Sequence, residues 1–150
     1  MGVALAAEGK DQQAVDHYKD AIKINPAFDY AYYNLANTLK DEGKMEEAAK
    51  YFQKTIRVNP TFPDAHNNLG IILEIYYKKY AEAIYQYRQE LKIQPDNPGV
   101  HFNLGIAFAA KGERQEAIKQ FRQAIDLKPD YEAARRWLRL TTEDEQKPSN

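Results

Sequence analysis

The chain has 150 residues, no cysteine and a formal net charge of −1. That length suits one ordinary domain, the near-zero charge removes the main sequence-independent attraction for nucleic acid, and without cysteine there is no disulfide framework, thiol nucleophile or thiolate metal site. No apolar run reaches the roughly 18 residues that mark a membrane helix, and a helical pattern already covers Met1, where a signal peptide would stand, so a cytoplasmic chain is expected.

The pattern of apolar residues predicts eight helices, near 12–24, 29–42, 45–58, 63–76, 80–93, 98–111, 114–127 and 132–140. In the second, Tyr32, Leu35, Ala36 and Leu39 share a face; in the third, Ala48, Phe52 and Ile56 do. Turns with Gly9, Gly43 and Gly112 join three of the pairs, glycine being suited to ending a helix in the left-handed conformation. The remaining pair has Ile75-Tyr76-Tyr77-Lys78-Lys79-Tyr80 there, one residue longer and without glycine, which predicts a longer first helix and a differently shaped turn. Pro63 and Pro98 are expected at first helical positions, where the missing N–H costs least, and Asn97 is a suitable N-cap. Residues 141–150 are polar, contain Pro148 and read as a disordered tail.

The pairs repeat in register. Pro26, Pro60, Pro95 and Pro129 close successive units at spacings of 34, 35 and 34. Counting from the third residue after each proline, the seventh position holds Leu35, Leu69 and Leu104, and the eighth Ala36, Gly70 and Gly105. The eleventh holds Leu39, Leu73 and Phe108, the twentieth Ala48, Ala83 and Ala117, and the twenty-fourth Phe52, Tyr87 and Phe121. This recurrence resembles the tetratricopeptide repeat, a family of helix-turn-helix units of about 34 residues. The resemblance implies an all-α, right-handed superhelical solenoid of antiparallel helix pairs over residues 1–140. Its parts are a partial repeat 1–27, full repeats 28–62, 63–97 and 98–131, and a capping helix 132–140. The first repeat starts late, with Gly2, Leu5, Ala14 and Tyr18 at repeat positions; this suggests a chain cut from a longer array. It predicts apolar surface around Leu5, Ala14 and Tyr18, and self-association through it.

No catalytic constellation, phosphate loop or cofactor motif is present, so an enzyme is not expected. His66 and His101 share the fourth position but lack the further ligands a metal needs. Glu90 stands where other repeats carry alanine or threonine; its stem is expected to pack and its carboxylate to reach water, or else to pair with a neighbour such as His101.

In the family the second, fifth, sixth, ninth, twelfth and thirteenth positions line the concave face. Here that set includes Tyr30, Tyr33, Asn34, Asn37 and Lys40, then Asn67, Asn68, Ile71, Glu74 and Ile75, then Phe102, Asn103 and Ile106. An asparagine amide both donates and accepts, so Asn34, Asn68 and Asn103 are suited to hold a peptide backbone. Their shared position looks like the asparagine ladder of O-linked N-acetylglucosamine transferases. Tyr30, Tyr33, Ile71, Phe102 and Ile106 would select side chains. The implied function is a protein-interaction scaffold that binds a peptide or helix. The alternatives are the recruiting region of a larger enzyme such as a glycosyltransferase, or a self-assembling scaffold. The carboxylate clamp of co-chaperones fits less well, because Tyr33, Gly99 and Asn103 stand where it needs cations.

Overall fold

The computed structural model describes residues 11–143. They form α1 (Asp11–Ile24), α2 (Asp29–Asp41), α3 (Met45–Val58), α4 (Ala65–Ile71), a π-helical segment (Ile72–Tyr76), α5 (Tyr80–Ile93), α6 (Pro98–Lys111), α7 (Arg114–Leu127) and α8 (Glu132–Glu143). The fold is all-α, built of antiparallel helix pairs, and no strand occurs among the described residues. The chain divides between Ile72 and Leu73 into two compact units. Within the first, α2 packs on α1 and α3, and α4 on α3; within the second, α6 packs on α5 and α7, and α8 on α7.

Each unit has its own core at the repeat positions. Leu35, Ala36, Ala48 and Phe52 are fully buried in the first. Ala83, Tyr87, Ala107, Ala117 and Phe121 are fully buried in the second. The eighth position must be small because the helices approach closely there. A β-carbon on Gly105 would lie 2.5 Å from Phe121 Cε1, inside contact distance of a ring with no room to move.

The turns show why glycine recurs. Gly43 and Gly112 adopt φ of 79° and 83°. After each, the chain closes a Schellman motif: Lys44 N–H donates to the Leu39 carbonyl (2.8 Å) and Glu113 N–H to the Phe108 carbonyl (2.9 Å). The third repeat ties the equivalent ends with one residue more between them, Lys79 N–H donating to the Leu73 carbonyl at 2.8 Å. The extra residue is absorbed by the π-helical winding of Ile72–Tyr76 and by Lys78, whose φ is 56°. The turn of this pair differs, as the sequence predicts, but its first helix, running from Ala65 to Tyr76, is not longer than α2 (13 residues) or α6 (14 residues).

Two boundaries differ from the sequence reading. Pro98 does open α6, where Asn97 Oδ1 accepts from the N–H groups of Gly99 (3.0 Å) and Val100 (3.2 Å). Pro63 does not open a helix: it lies in the turn before Ala65, because Asp64 takes a left-handed φ of 63°. Residues 141–143 belong to α8 rather than to a tail. The hydroxyls of Thr141 and Thr142 donate to the carbonyls of Trp137 (2.7 Å) and Leu138 (3.0 Å) in its last turn. The tail 144–150 and the first-repeat residues Gly2, Leu5 and Gly9 lie outside the described residues. Ala14 and Tyr18, expected to be partly uncovered, are buried.

Candidate peptide-binding site

Asn68 is the centre of the polar face of the first unit. It is nearly buried, and all of its amide is engaged. Its Oδ1 accepts from Lys40 Nζ at 2.9 Å, while Nδ2 donates to Tyr33 Oη (3.3 Å) and to the Asp64 carbonyl (3.0 Å). Lys40 Nζ also donates to Asn37 Oδ1 at 3.2 Å. The ammonium is therefore fixed by neutral amide oxygens, and no carboxylate among the described residues pairs with it. An ammonium has three donors, and these two bonds leave the third directed elsewhere. Asn34 contributes its carbonyl, which accepts from Thr38 Oγ1 at 3.0 Å; its side-chain amide stands outside this network.

The apolar part of this face is aromatic. Tyr33 is half-buried, with its ring 4.8 Å from Phe62 and 5.8 Å from Phe52. Tyr30, 59% exposed, meets Phe62 edge-on at 4.9 Å. The second unit repeats the device: Phe102 is half-buried, 5.9 Å from Phe121 and 5.1 Å from Tyr131. Fifth-position aromatics thus pack against their own repeat and present only one side. Asn67 and Ile71 in the first unit, and Asn103 and Ile106 in the second, are half-buried on the same helices. Asn67 and Asn103 have polar or ring partners of their own.

Two residues depart from their sequence placement. Glu74, expected on the ligand-facing side, is buried, and its Oε2 accepts from Tyr87 Oη at 2.7 Å. The π-helical winding of Ile72–Tyr76 carries Glu74 inward, while Ile75, expected on the same side, is 63% exposed. Glu90 does not send its carboxylate to water: it is fully buried, and Oε1 accepts from Gln94 Nε2 at 2.8 Å. His101 is not its partner. His101 Nε2 donates to the Pro95 carbonyl at 3.0 Å, and Nδ1 lies 2.8 Å from Gln120 Oε1. His66 Nε2 likewise donates to the Pro60 carbonyl at 3.3 Å. Both histidines therefore tie the fourth position to the proline that closes the preceding repeat. Among the described residues no group of three or more histidines and carboxylates could hold a metal ion. No described helix is long and apolar enough to cross a membrane.

The sequence marked the asparagines and aromatics but not Lys40 as the hub. Its twelfth-position placement was visible; the 28-residue link to Asn68 was not.

Solved structures share this arrangement of helices. A crystal structure of MamA matches with a TM-score of 0.91 at 21% identity, over 97% of this chain and 84% of that one. YrrB, described as a TPR protein with an unusual peptide-binding site, matches with a TM-score of 0.86 at 20% identity, over 99% and 76%. The first TPR of Spaghetti (RPAP3), bound to the HSP90 peptide SRMEEVD, matches with a TM-score of 0.75 at 20% identity, over 79% and 94%. No curated protein matches in sequence. A TPR repeat family model matches residues 2–43 and 74–112, more than half of the chain. Tetratricopeptide repeat models match 30–62, 98–131 and 51–85, the first two coinciding with repeats seen in the sequence register. Matched in sequence along most of its length and in the packing of its helix pairs, the chain belongs to the tetratricopeptide repeat family.

Proposed function

We propose that the chain is a protein-interaction scaffold that binds an extended segment of a partner, and that the first unit docks it on Tyr33, Asn37, Lys40 and Asn68. The observation that carries this reading is Lys40. A cation held by amides, with no carboxylate of its own, is preorganised for an acceptor from outside: a main-chain carbonyl or a carboxylate. Tyr30 and Tyr33 offer adjoining aromatic surface for a side chain. YrrB and the Spaghetti repeat, which share the fold, carry peptide sites by their own descriptions, and this supports the reading.

The ladder role of Asn34, Asn68 and Asn103 belongs to the same proposal, with a change. Asn68 already spends both ends of its amide within the first unit, so it positions Lys40 and Tyr33 and meets a ligand only by exchanging partners. Its removal therefore costs stability as well as affinity. The likeness to O-linked N-acetylglucosamine transferases, and with it a recruiting role within a larger enzyme, rests on Asn34 and Asn103 holding main chain. Self-association through the first repeat loses Ala14 and Tyr18 as its surface, since both are buried.

The test is to select ligands for the whole chain from a random peptide library and titrate the best into wild type and variants. Lys40→Ala removes a charge-assisted bond worth about 1.5–3 kcal/mol, and should weaken binding roughly tenfold to a hundredfold with helicity unchanged. Asn34→Ala with Asn103→Ala should cost a further few-fold if the ladder reading holds. Undiminished affinity in Lys40→Ala would place the site elsewhere.

A further inference from the structure

A second surface lies in the second unit, on the side of α8. This helix presents exposed Arg135, Arg136 and Arg139, with Trp137 and Leu140 39% and 47% exposed among them. Beside it is a cleft of about 360 Å³, lined by Ala109, Gly112, Arg114, Trp137, Leu140 and Thr141. Arg114 is the first residue of α7. Two of its nitrogens, Nε and Nη2, are buried and meet no acceptor. These are the two parallel donors of one edge of the guanidinium, the edge that grips both oxygens of a carboxylate. Desolvating donors without pairing them is costly. That cost is already borne in the free protein, and a carboxylate recovers it once it displaces the side chains that cover this edge in the free cleft.

The surrounding charge has the complementary sign. Glu113 is taken by Lys111 and Glu143 by Arg139, leaving the other arginines without carboxylate partners among the described residues. Glu132, at the start of α8, is the remaining acidic residue of this helix. The chain as a whole is near neutral, so the arginines are a local patch and not part of a basic surface made for nucleic acid.

We propose that this cleft binds an acidic segment of a partner protein, a carboxylate docking on Arg114 while a neighbouring aliphatic or aromatic side chain packs on Trp137 and Leu140. The cleft belongs to the second unit, whereas Lys40 belongs to the first.

Trp137 is the one tryptophan in the sequence and reports the cleft directly. The probe is an end-blocked peptide of Glu-Glu-Leu repeats, titrated into the whole chain while Trp137 fluorescence is read. A saturable change is expected, with binding lost in 0.5 M salt or when glutamine replaces glutamate (salt level roughly three times physiological). Arg114→Gln should weaken binding about tenfold to a hundredfold, whereas Lys40→Ala should leave it unchanged. Should Arg114→Gln perturb folding, Leu140→Glu decides the matter: this exposed position tolerates the change, and the new charge should weaken binding at least about tenfold. No saturable signal, unchanged affinity in the variant that stays folded, or tighter binding of a single-stranded oligonucleotide of equal charge would overturn the proposal.

Discussion

Glu74 shows how one inserted residue changes a side chain's chemistry. Burial holds its carboxyl above the ordinary value of 4.5, against the opposing pull of the Tyr87 hydroxyl and the Lys78 charge. Tyr87 is pushed strongly upward in turn, by burial and then by the charge and hydrogen bond of Glu74, so it stays a donor at any working pH. Between the unfolded value of Glu74 and its higher folded value, the native state holds more proton than the unfolded chain. The contribution of this group to stability therefore falls as pH rises through the folded value, opposite in sign to Asp20 and Glu46, which Lys23 and Lys50 hold low. Glu74→Gln keeps an acceptor for Tyr87 and removes the charge. The stability of this variant relative to wild type should grow from below pH 4.5 toward neutrality, as read by urea denaturation at a series of pH values. Tyr87→Phe instead strands the buried carboxylate and should cost about 1–3 kcal/mol at pH 7. A constant difference between Glu74→Gln and wild type at every pH would contradict this account.

At the scale of the element, the same insertion is carried by the backbone. Gly43 and Gly112 occupy left-handed positions without penalty, whereas Lys78 holds φ of 56° with a side chain that makes this conformation costly. Lys78→Gly relieves about 1–2 kcal/mol of that strain and returns some of it as added freedom of the unfolded chain. The net gain should be about 0.5–1 kcal/mol. Because Lys78 also acts on Glu74, the comparison belongs in the Glu74→Gln background, where the electrostatic part is absent. A loss of stability there would show that Lys78 is not strained. Most elements were legible from the sequence because they follow a register: Leu35 with Leu104, or Phe52 with Phe121, announce the helices and their packed faces by spacing alone. What escaped was set by interactions that spacing does not encode. The left-handed Asp64 displaced the helix start from Pro63, threonine hydroxyls carried α8 past 140, and the π-helical turn moved Glu74 inward. The candidate site divides the same way. The half-buried asparagines and aromatics were visible as a column of repeat positions, but the bonds of Lys40 to Asn68 and the unpaired edge of Arg114 depend on which rotamers meet.

In an array of repeats stability is expected to be distributed over neighbours, because each pair covers part of its apolar face with the next. Two compact units and a single tryptophan in the second make this measurable. Far-ultraviolet circular dichroism reports all the helices, while Trp137 stands 6.2 Å from Phe121 and reports the second unit. Gly105→Ala places a methyl group against the Phe121 ring and should destabilise that unit by about 1–3 kcal/mol through overpacking. If the repeats unfold with limited cooperativity, the fluorescence midpoint in urea should fall further than the dichroism midpoint, and the two transitions should separate in the variant. If the chain is a single cooperative unit, both midpoints should fall together by the same amount. The second outcome would refute the distributed picture. It would also mean that a ligand held by Lys40 stabilises the cleft at Arg114 through the folding equilibrium alone, whereas separated transitions would leave the two sites independent.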